Sequence, residues 1–211
     1  MAKTKPFNNY SDEYDNWFIE NKYVFQSELN AIKKTLPKEK KGIEIGIGSG
    51  VFAVPLGIDE GVEPSEAMRT KAINRGLKVI DGVAEKLPYQ NNSQDYVLMV
   101  TTICFVDDIY KSFQEVNRIL KEDGIFIIGY VDKDSPIGKF YLEHQNESLF
   151  YKEATFFSTE KLFEILETTG FIIENTYQTV FGFIDEIHEV QEVLPGFGEG
   201  SFVVIKARKG I

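Results

Sequence analysis

The run Glu44 to Gly50, which reads EIGIGSG, constrains this chain more than any other stretch. Its glycines fall at every second position, and an acid stands two places before the first of them. Ile43 and Ile45, on either side of that acid, mark the end of a buried strand. Glycine is needed where a backbone turns with positive φ, or where a ligand approaches closer than a Cβ permits. A strand feeding such a turn at the edge of an α/β sheet is where nucleotide-like ligands bind. The dinucleotide spacing G-x-G-x-x-G would put its third glycine at position 51, and Val51 stands there. Taken alone, the loop is also compatible with a glycine-rich turn that holds no ligand.

A chain of 211 residues suits one α/β domain with a small appendage and can bury a sizeable core. Its 43% hydrophobic and 13% aromatic content exclude a disordered chain. The single cysteine, Cys104, excludes an internal disulfide and fits a reducing cytosol, so a cytoplasmic location is expected. No apolar run approaches the roughly 18 to 20 residues that span a bilayer, and the polar N-terminus has no signal-like apolar core. Net charge is −10, from 33 acids against 23 bases, and such a surface repels a phosphate backbone. Lys38, Lys40 and Lys41 read as a solvated loop. A small molecule or a peptide is the expected partner, with nucleic acid and membrane disfavoured.

Without repeats or low-complexity linkers, the chain reads as one domain. The first forty residues look helical, with Tyr14, Trp17, Phe18, Val24, Phe25, Leu29 and Ile32 apolar before Pro37. After a first strand at Ile43 to Ile45, Pro55 limits the next helix to barely two turns. A second strand is expected from Ile58 to Glu63. Ser65 then caps a helix ended by Gly76, whose Met68, Ala72 and Ile73 should face the sheet. Lys78 to Ile80 makes a third strand, and Tyr96 to Val100 a fourth that is apolar throughout and so buried on both faces. A helix from about Asp108 carries Ile109, Phe113, Val116 and Leu120 at helical spacing, and Asp123-Gly124 turns into a strand at Ile125 to Gly129. Ser158 caps a helix closed by Gly170, and two last strands run near Phe171 to Val180 and Ser201 to Ala207. The alternation predicts a doubly wound, seven-stranded, mostly parallel α/β sheet with one antiparallel edge strand.

In that order, the compact E-x-G-x-G-x-G loop and five later segments resemble the class I S-adenosylmethionine-dependent methyltransferases, the small-molecule type in particular. The resemblance covers about Tyr14 to Ala207 and implies their Rossmann-like methyltransferase fold. Gly61-Val62-Glu63-Pro64-Ser65 is similar to the family's second-strand motif, whose acid accepts hydrogen bonds from both ribose hydroxyls; Glu63 could instead be a helix-capping acid. Gly82-Val83-Ala84-Glu85-Lys86-Leu87-Pro88 resembles the segment that addresses adenine. Many relatives have aspartate before the alanine, so Val83 here shifts the adenine contact to the backbone of Val83 and Ala84, or to Glu85. Asp95 to Val100 resembles the fourth-strand motif, with Thr101 and Thr102 at its end. Glu115 to Gly124 matches E-x-x-R-x-L-K-x-x-G, where Glu115 and Arg118 read as a structural pair on one helical face. Phe156 to Phe171 resembles the passage before the last hairpin.

The implied cofactor is S-adenosylmethionine, with S-adenosylhomocysteine as product. It is a cation without phosphate, which suits a loop flanked by Glu44 and Glu63 better than a pyrophosphate would. Glu44 either reaches the ammonium group through water or orders the loop. The expected cofactor residues are Trp17, Glu44, Gly46, Gly48, Ser49, Gly50, Glu63, Pro64, Val83, Ala84, Glu85 and Thr101. The step from Gly50 to Glu63 is shorter than is usual in the family, which implies a stunted first helix. Residues 1–40, with Tyr10, Tyr14 and Trp17, lie where relatives place a helical lid, and aromatic faces suit a sulfonium. An aromatic stripe that merely packs the core is the alternative.

Residues 132–157 are expected to cover the substrate together with Thr102 and Phe105. His144 there has a suitable ordinary pKa for a base, or is simply a surface residue. Two histidines and one cysteine offer no metal site. Methyl transfer needs positioning and exclusion of water, and no obligatory catalytic residue follows from the fold. A regulatory module that binds the cofactor without turnover, and a nicotinamide-dependent oxidoreductase, are the competing classes.

Overall fold

The two apolar runs form adjacent strands at the centre of the sheet. β4 (Gln94–Val100) and β5 (Leu120–Val131) pair in parallel, from Tyr96 opposite Ile125 to Val100 opposite Gly129. Alternation then divides their side chains between two cores. Val97, Met99, Phe126 and Ile128 pack with Phe113, Val116, Leu162 and Leu166 on one face. Tyr96, Leu98, Val100, Ile125 and Ile127 pack with Phe18, Val24, Leu29 and Ile32 on the other. This is a computed structural model that describes residues 3–38 and 40–210; Met1, Ala2 and Glu39, within the expected lid, and Ile211 lie outside them.

On the other side of β4 lie β1 (Gly42–Ile45), β2 (Glu60–Val62) and β3 (Lys78–Ile80), all parallel. Beyond β5 come β8 (Phe202–Lys209), β6 (Phe171–Thr179) and β7 (Leu194–Pro195). The full order is β3-β2-β1-β4-β5-β8-β6-β7. β8 runs antiparallel between β5 and β6, and β7 is the antiparallel strand at the edge. Eight strands replace the expected seven because the two-residue β7 is too short to show as a periodic run. The chain leaves β1 in one direction and β4 in the other. The crevice at their C-terminal ends is therefore the switch point where such sheets bind ligands.

The local signals place the helices. Ser65, Asp108, Ser135 and Ser158 each accept a backbone N–H three residues on, capping α5 (Glu66–Asn74), α6 (Ile109–Ile119), α7 (Pro136–Glu143) and α8 (Thr159–Thr168). α4 (Ala53–Leu56) is a single turn around Pro55. Strand β2 is shorter than the expected Ile58 to Glu63. Met68 and Ala72 face the core, whereas Ile73 is 51% exposed. Residues 68 and 72 are one helical repeat apart, and position 73 lies about 100° further round. Lys38, Lys40 and Lys41 are exposed.

Of the three N-terminal helices, α1 (Lys5–Asn9) and α2 (Ser11–Glu20) contribute to the crevice at the C-terminal ends of the strands, and α3 (Lys22–Lys33) packs on the sheet face over β5, β6 and β8. Ser65 donates to the Asn8 side chain, which ties α1 to the start of α5. Among the described residues, no helix is long and apolar enough to cross a membrane.

Candidate active site

The glycine loop is hooked to β2, for the amides of Gly46 and Ile47 both donate to the carbonyl of Val62. Gly46, Gly48 and Gly50 all have positive φ, at 67°, 57° and 83°. A Cβ on Gly46 would also collide with the side chain of Thr102, so both backbone and space demand glycine there. Glu63 organises the next layer. The Gly48 amide donates to one of its carboxylate oxygens at 2.9 Å and the Ser65 amide to the other at 2.7 Å. Arg69 donates to its carbonyl at 2.7 Å. Burial raises the Glu63 pKa, while these backbone bonds and Arg69 pull it down.

Glu44 is only 1% exposed, and its Oε2 has no hydrogen-bond partner. Burial, then the charge of Glu63, holds its pKa well above the usual range. The Tyr14 hydroxyl is buried, and its pKa is raised by burial and then by Glu44 and Glu63, so it stays a phenol. Thr101 takes the left-handed conformation at the end of β4, with φ 49°. Strained backbone of this kind concentrates at functional sites.

Gly46, Gly48, Glu63, Tyr14 and Thr101 face one continuous cavity of about 170 Å³. Of the expected residues, Tyr14, Trp17, Gly46, Gly48, Glu63, Pro64, Val83, Ala84, Glu85, Thr101, Thr102 and Phe105 line it. The Glu115–Arg118 pair is structural, as its spacing suggests. Arg118 forks onto both oxygens of Glu115, and both residues bond the backbone of Leu87, fixing the loop that presents Val83 and Ala84. Glu85 accepts from the amides of Asp107 and Asp108, so it also braces the opposite wall.

Others fall outside the lining. Ser49 is buried beneath the loop, donating to Asp15 at 2.5 Å and accepting from Arg75. Gly50 packs toward Leu77, Glu44 lies behind the wall, and Tyr10 is exposed. His144 is exposed at the end of α7, bonded to the Phe140 carbonyl and packed on its ring, and does not reach the cavity. The Cys104 thiol is pushed up to about 12 by burial, which keeps it from acting as a nucleophile.

Several lining residues were not named individually, although their segments were expected over the site: Glu28 on α3, Phe7 on α1, and Tyr141, Phe150 and Tyr151 from the segment after β5. Glu28 had a signal. It sits four residues from both Val24 and Ile32, an acid in the middle of a buried stripe.

The comparisons with known proteins agree with this geometry. The methyltransferase domain family matches residues 43–128. The crystal structure of an S-adenosylmethionine-dependent methyltransferase from Thermotoga maritima, described as a "possible histamine N-methyltransferase", superposes with a TM-score of 0.95. It is 46% identical, over 97% of this chain and 99% of that one. The chain belongs to the class I S-adenosylmethionine-dependent methyltransferases. An uncharacterized protein of Methanocaldococcus jannaschii is 42% identical over 203 residues, 96% of this chain and 98% of that protein. The demethylmenaquinone methyltransferase of Staphylococcus aureus is 25% identical, over 79% of this chain and 83% of the enzyme. S-adenosylmethionine is thus the cofactor of this methyltransferase's family. The residues present fit it: a glycine cradle that Cβ atoms would fill, acids for a cation, and the orphaned Glu44 oxygen behind the loop.

Proposed function

We propose that this methyltransferase moves the methyl group of S-adenosylmethionine to a small-molecule acceptor enclosed in the same cavity. The observation that carries the reading is the continuity of that cavity. It runs from Glu63, Val83 and Ala84 beside β2 and β3 to aromatic walls beyond β5. When bound, the cofactor supplies a methyl on a sulfonium, a leaving group already activated. Glu63 has free lone pairs for the ribose hydroxyls, since each oxygen accepts one backbone N–H. Val83 and Ala84 present backbone and apolar surface to adenine. Gly46, Gly48 and Thr101 hold the methionine portion against the loop, and Glu44 lies behind it.

Residues 1–40 act as the lid and residues 132–157 as the substrate cover in this reading. Phe7, Tyr14 and Trp17 come from the first, and Tyr141, Phe150 and Tyr151 from the second. Phe7 packs edge-on against Phe105 at 4.9 Å and tilts over Phe150 at 5.6 Å, so lid and cover meet. Closed over the crevice, they exclude water and hold the acceptor in line with the methyl carbon. The small-molecule character of demethylmenaquinone methyltransferase and of the histamine reading of the Thermotoga relative supports an acceptor of modest size. The acidic surface argues against a nucleic acid.

Calorimetric titration tests the cofactor half. S-adenosylhomocysteine should bind and NADH should not. Glu63→Ala should weaken S-adenosylhomocysteine by about 1–3 kcal/mol through lost charged hydrogen bonds. An unchanged affinity would remove Glu63 from the site, and binding of NADH alone would overturn the reading. Labelled methyl groups should pass from S-adenosylmethionine to a component of a metabolite extract.

A further inference from the structure

We propose that Glu28 recognises the acceptor, and that the acceptor is a small molecule carrying a protonated nitrogen on an apolar or aromatic body. The proposal rests on the methyltransferase reading of the cavity and names the substrate class that its second half takes.

Glu28 lies in the buried stripe of α3, is 5% exposed, and lines the cavity. Its carboxyl group has no hydrogen bond or ion pair with any described residue. Among the other buried acids, Glu44 also has an unpartnered oxygen but lies behind the cavity wall. Glu63 accepts two backbone amides, and Asp132 accepts from the backbone and hydroxyl of Thr159. Among the described buried acids, only Glu28 is both unpartnered and turned to the open space. Burial alone pushes its pKa up to about 8. A buried carboxylate left unpaired is unfavourable, and a bound cation removes that penalty.

Its surroundings define the cation. Tyr141 and Tyr151 feel its charge and stack on each other at 4.8 Å, and Tyr151 stacks in turn on Phe105. A carboxylate beside aromatic rings is the chemistry that receives an ammonium group, through charge on one side and ring faces on the other. Among the described residues, Lys3 is the one cation lining the cavity, against Glu28, Glu63, Glu85 and Asp107. The position also separates Glu28 from the ribose acid. α3 packs on β6 and β8, while Glu63 sits at the end of β2. β8 is four strands from β2, or roughly 19 Å at the usual strand spacing. The cofactor's ribose belongs to the Glu63 end, and its positive groups belong with the methionine portion against Gly46, Gly48 and Thr101.

The test uses the full chain saturated with S-adenosylhomocysteine. Calorimetry compares primary and tertiary amines with aliphatic and aromatic bodies, among them 2-phenylethylamine and tryptamine, with the alcohols of the same shape. At least one amine should bind tenfold or more tightly than its alcohol. Glu28→Gln should abolish that preference and leave S-adenosylhomocysteine affinity within about twofold. That retained affinity certifies the fold; if the variant does not fold, Glu28→Asp, which keeps the charge but withdraws it, should weaken the amine. The proposal is overturned if amines and alcohols bind alike, if no amine binds, if Glu28→Gln keeps the preference, or if it loses cofactor and amine together. Failure of the wild-type protein to bind S-adenosylhomocysteine would instead defeat the methyltransferase reading.

Discussion

Replacing Glu28 with glutamine should make the protein more stable, by an amount that grows with pH. Folding carries the carboxyl from water, where it titrates near 4.5, to a buried site where burial alone lifts it to about 8. The folded state therefore holds the proton more tightly than the unfolded one. Stability is full below the unfolded value and is lost progressively as pH rises through the window up to about 8. Fully developed, the difference from 4.5 to about 8 corresponds to roughly 5 kcal/mol at about 1.4 kcal/mol per tenfold. Between about pH 5 and about pH 8, roughly 3 kcal/mol of it should appear. Glutamine occupies the same space without titrating. Tyr141 and Tyr151 stay neutral across this window because burial raises both. Glu44 and Glu63 also titrate upward, but they are common to both proteins and cancel in the comparison. Urea unfolding of the two proteins at several pH values measures the gap directly. Curves that run parallel, within about 0.5 kcal/mol from pH 5 to 8, would show that Glu28 is hydrated or paired in solution and refute the reasoning.

Two further substitutions probe the frame around the cavity. Asp15 joins the Ser49 hydroxyl, Lys71 and Arg75, and so fastens α2 beneath the glycine loop. Asp15→Asn should destabilise the fold by about 1–3 kcal/mol and speed S-adenosylhomocysteine dissociation in stopped-flow measurements; unchanged values would make the cluster incidental. His144→Ala should leave kcat/KM for the methylated acceptor within about twofold, because the imidazole is exposed and turned to the Phe140 carbonyl. A drop of tenfold or more would restore it as a base.

Seen from one end, the cavity is a feature of contiguous sequence. Gly46, Gly48 and Gly50 are required by the backbone conformation of one loop, and Glu63 follows at the tip of the next strand. The Glu115–Arg118 pair and the caps Ser65, Asp108 and Ser158 act within a turn of their own helices. Such requirements leave their mark at fixed short spacings, which is why the cofactor half and the doubly wound sheet were legible. Even there, side-chain direction escaped the reading. Ser49 points down to Asp15, and Glu44 lies behind the cavity wall.

The half proposed for the acceptor is different in kind. Glu28 and Tyr151 come from segments far apart in the chain, and each looks ordinary alone: an acid in an apolar stripe, a tyrosine in an aromatic loop. They meet because α3 and the segment after β5 both pack beside the same cavity. The same packing turned His144 and Tyr10 outward. The sequence by itself determined the glycine loop and the acid proposed to hold a nucleoside cation, because local backbone geometry sets both. Only the tertiary structure decided which distant side chains face the remaining space, because burial and electrostatic pairing are set by packing and not by spacing along the chain.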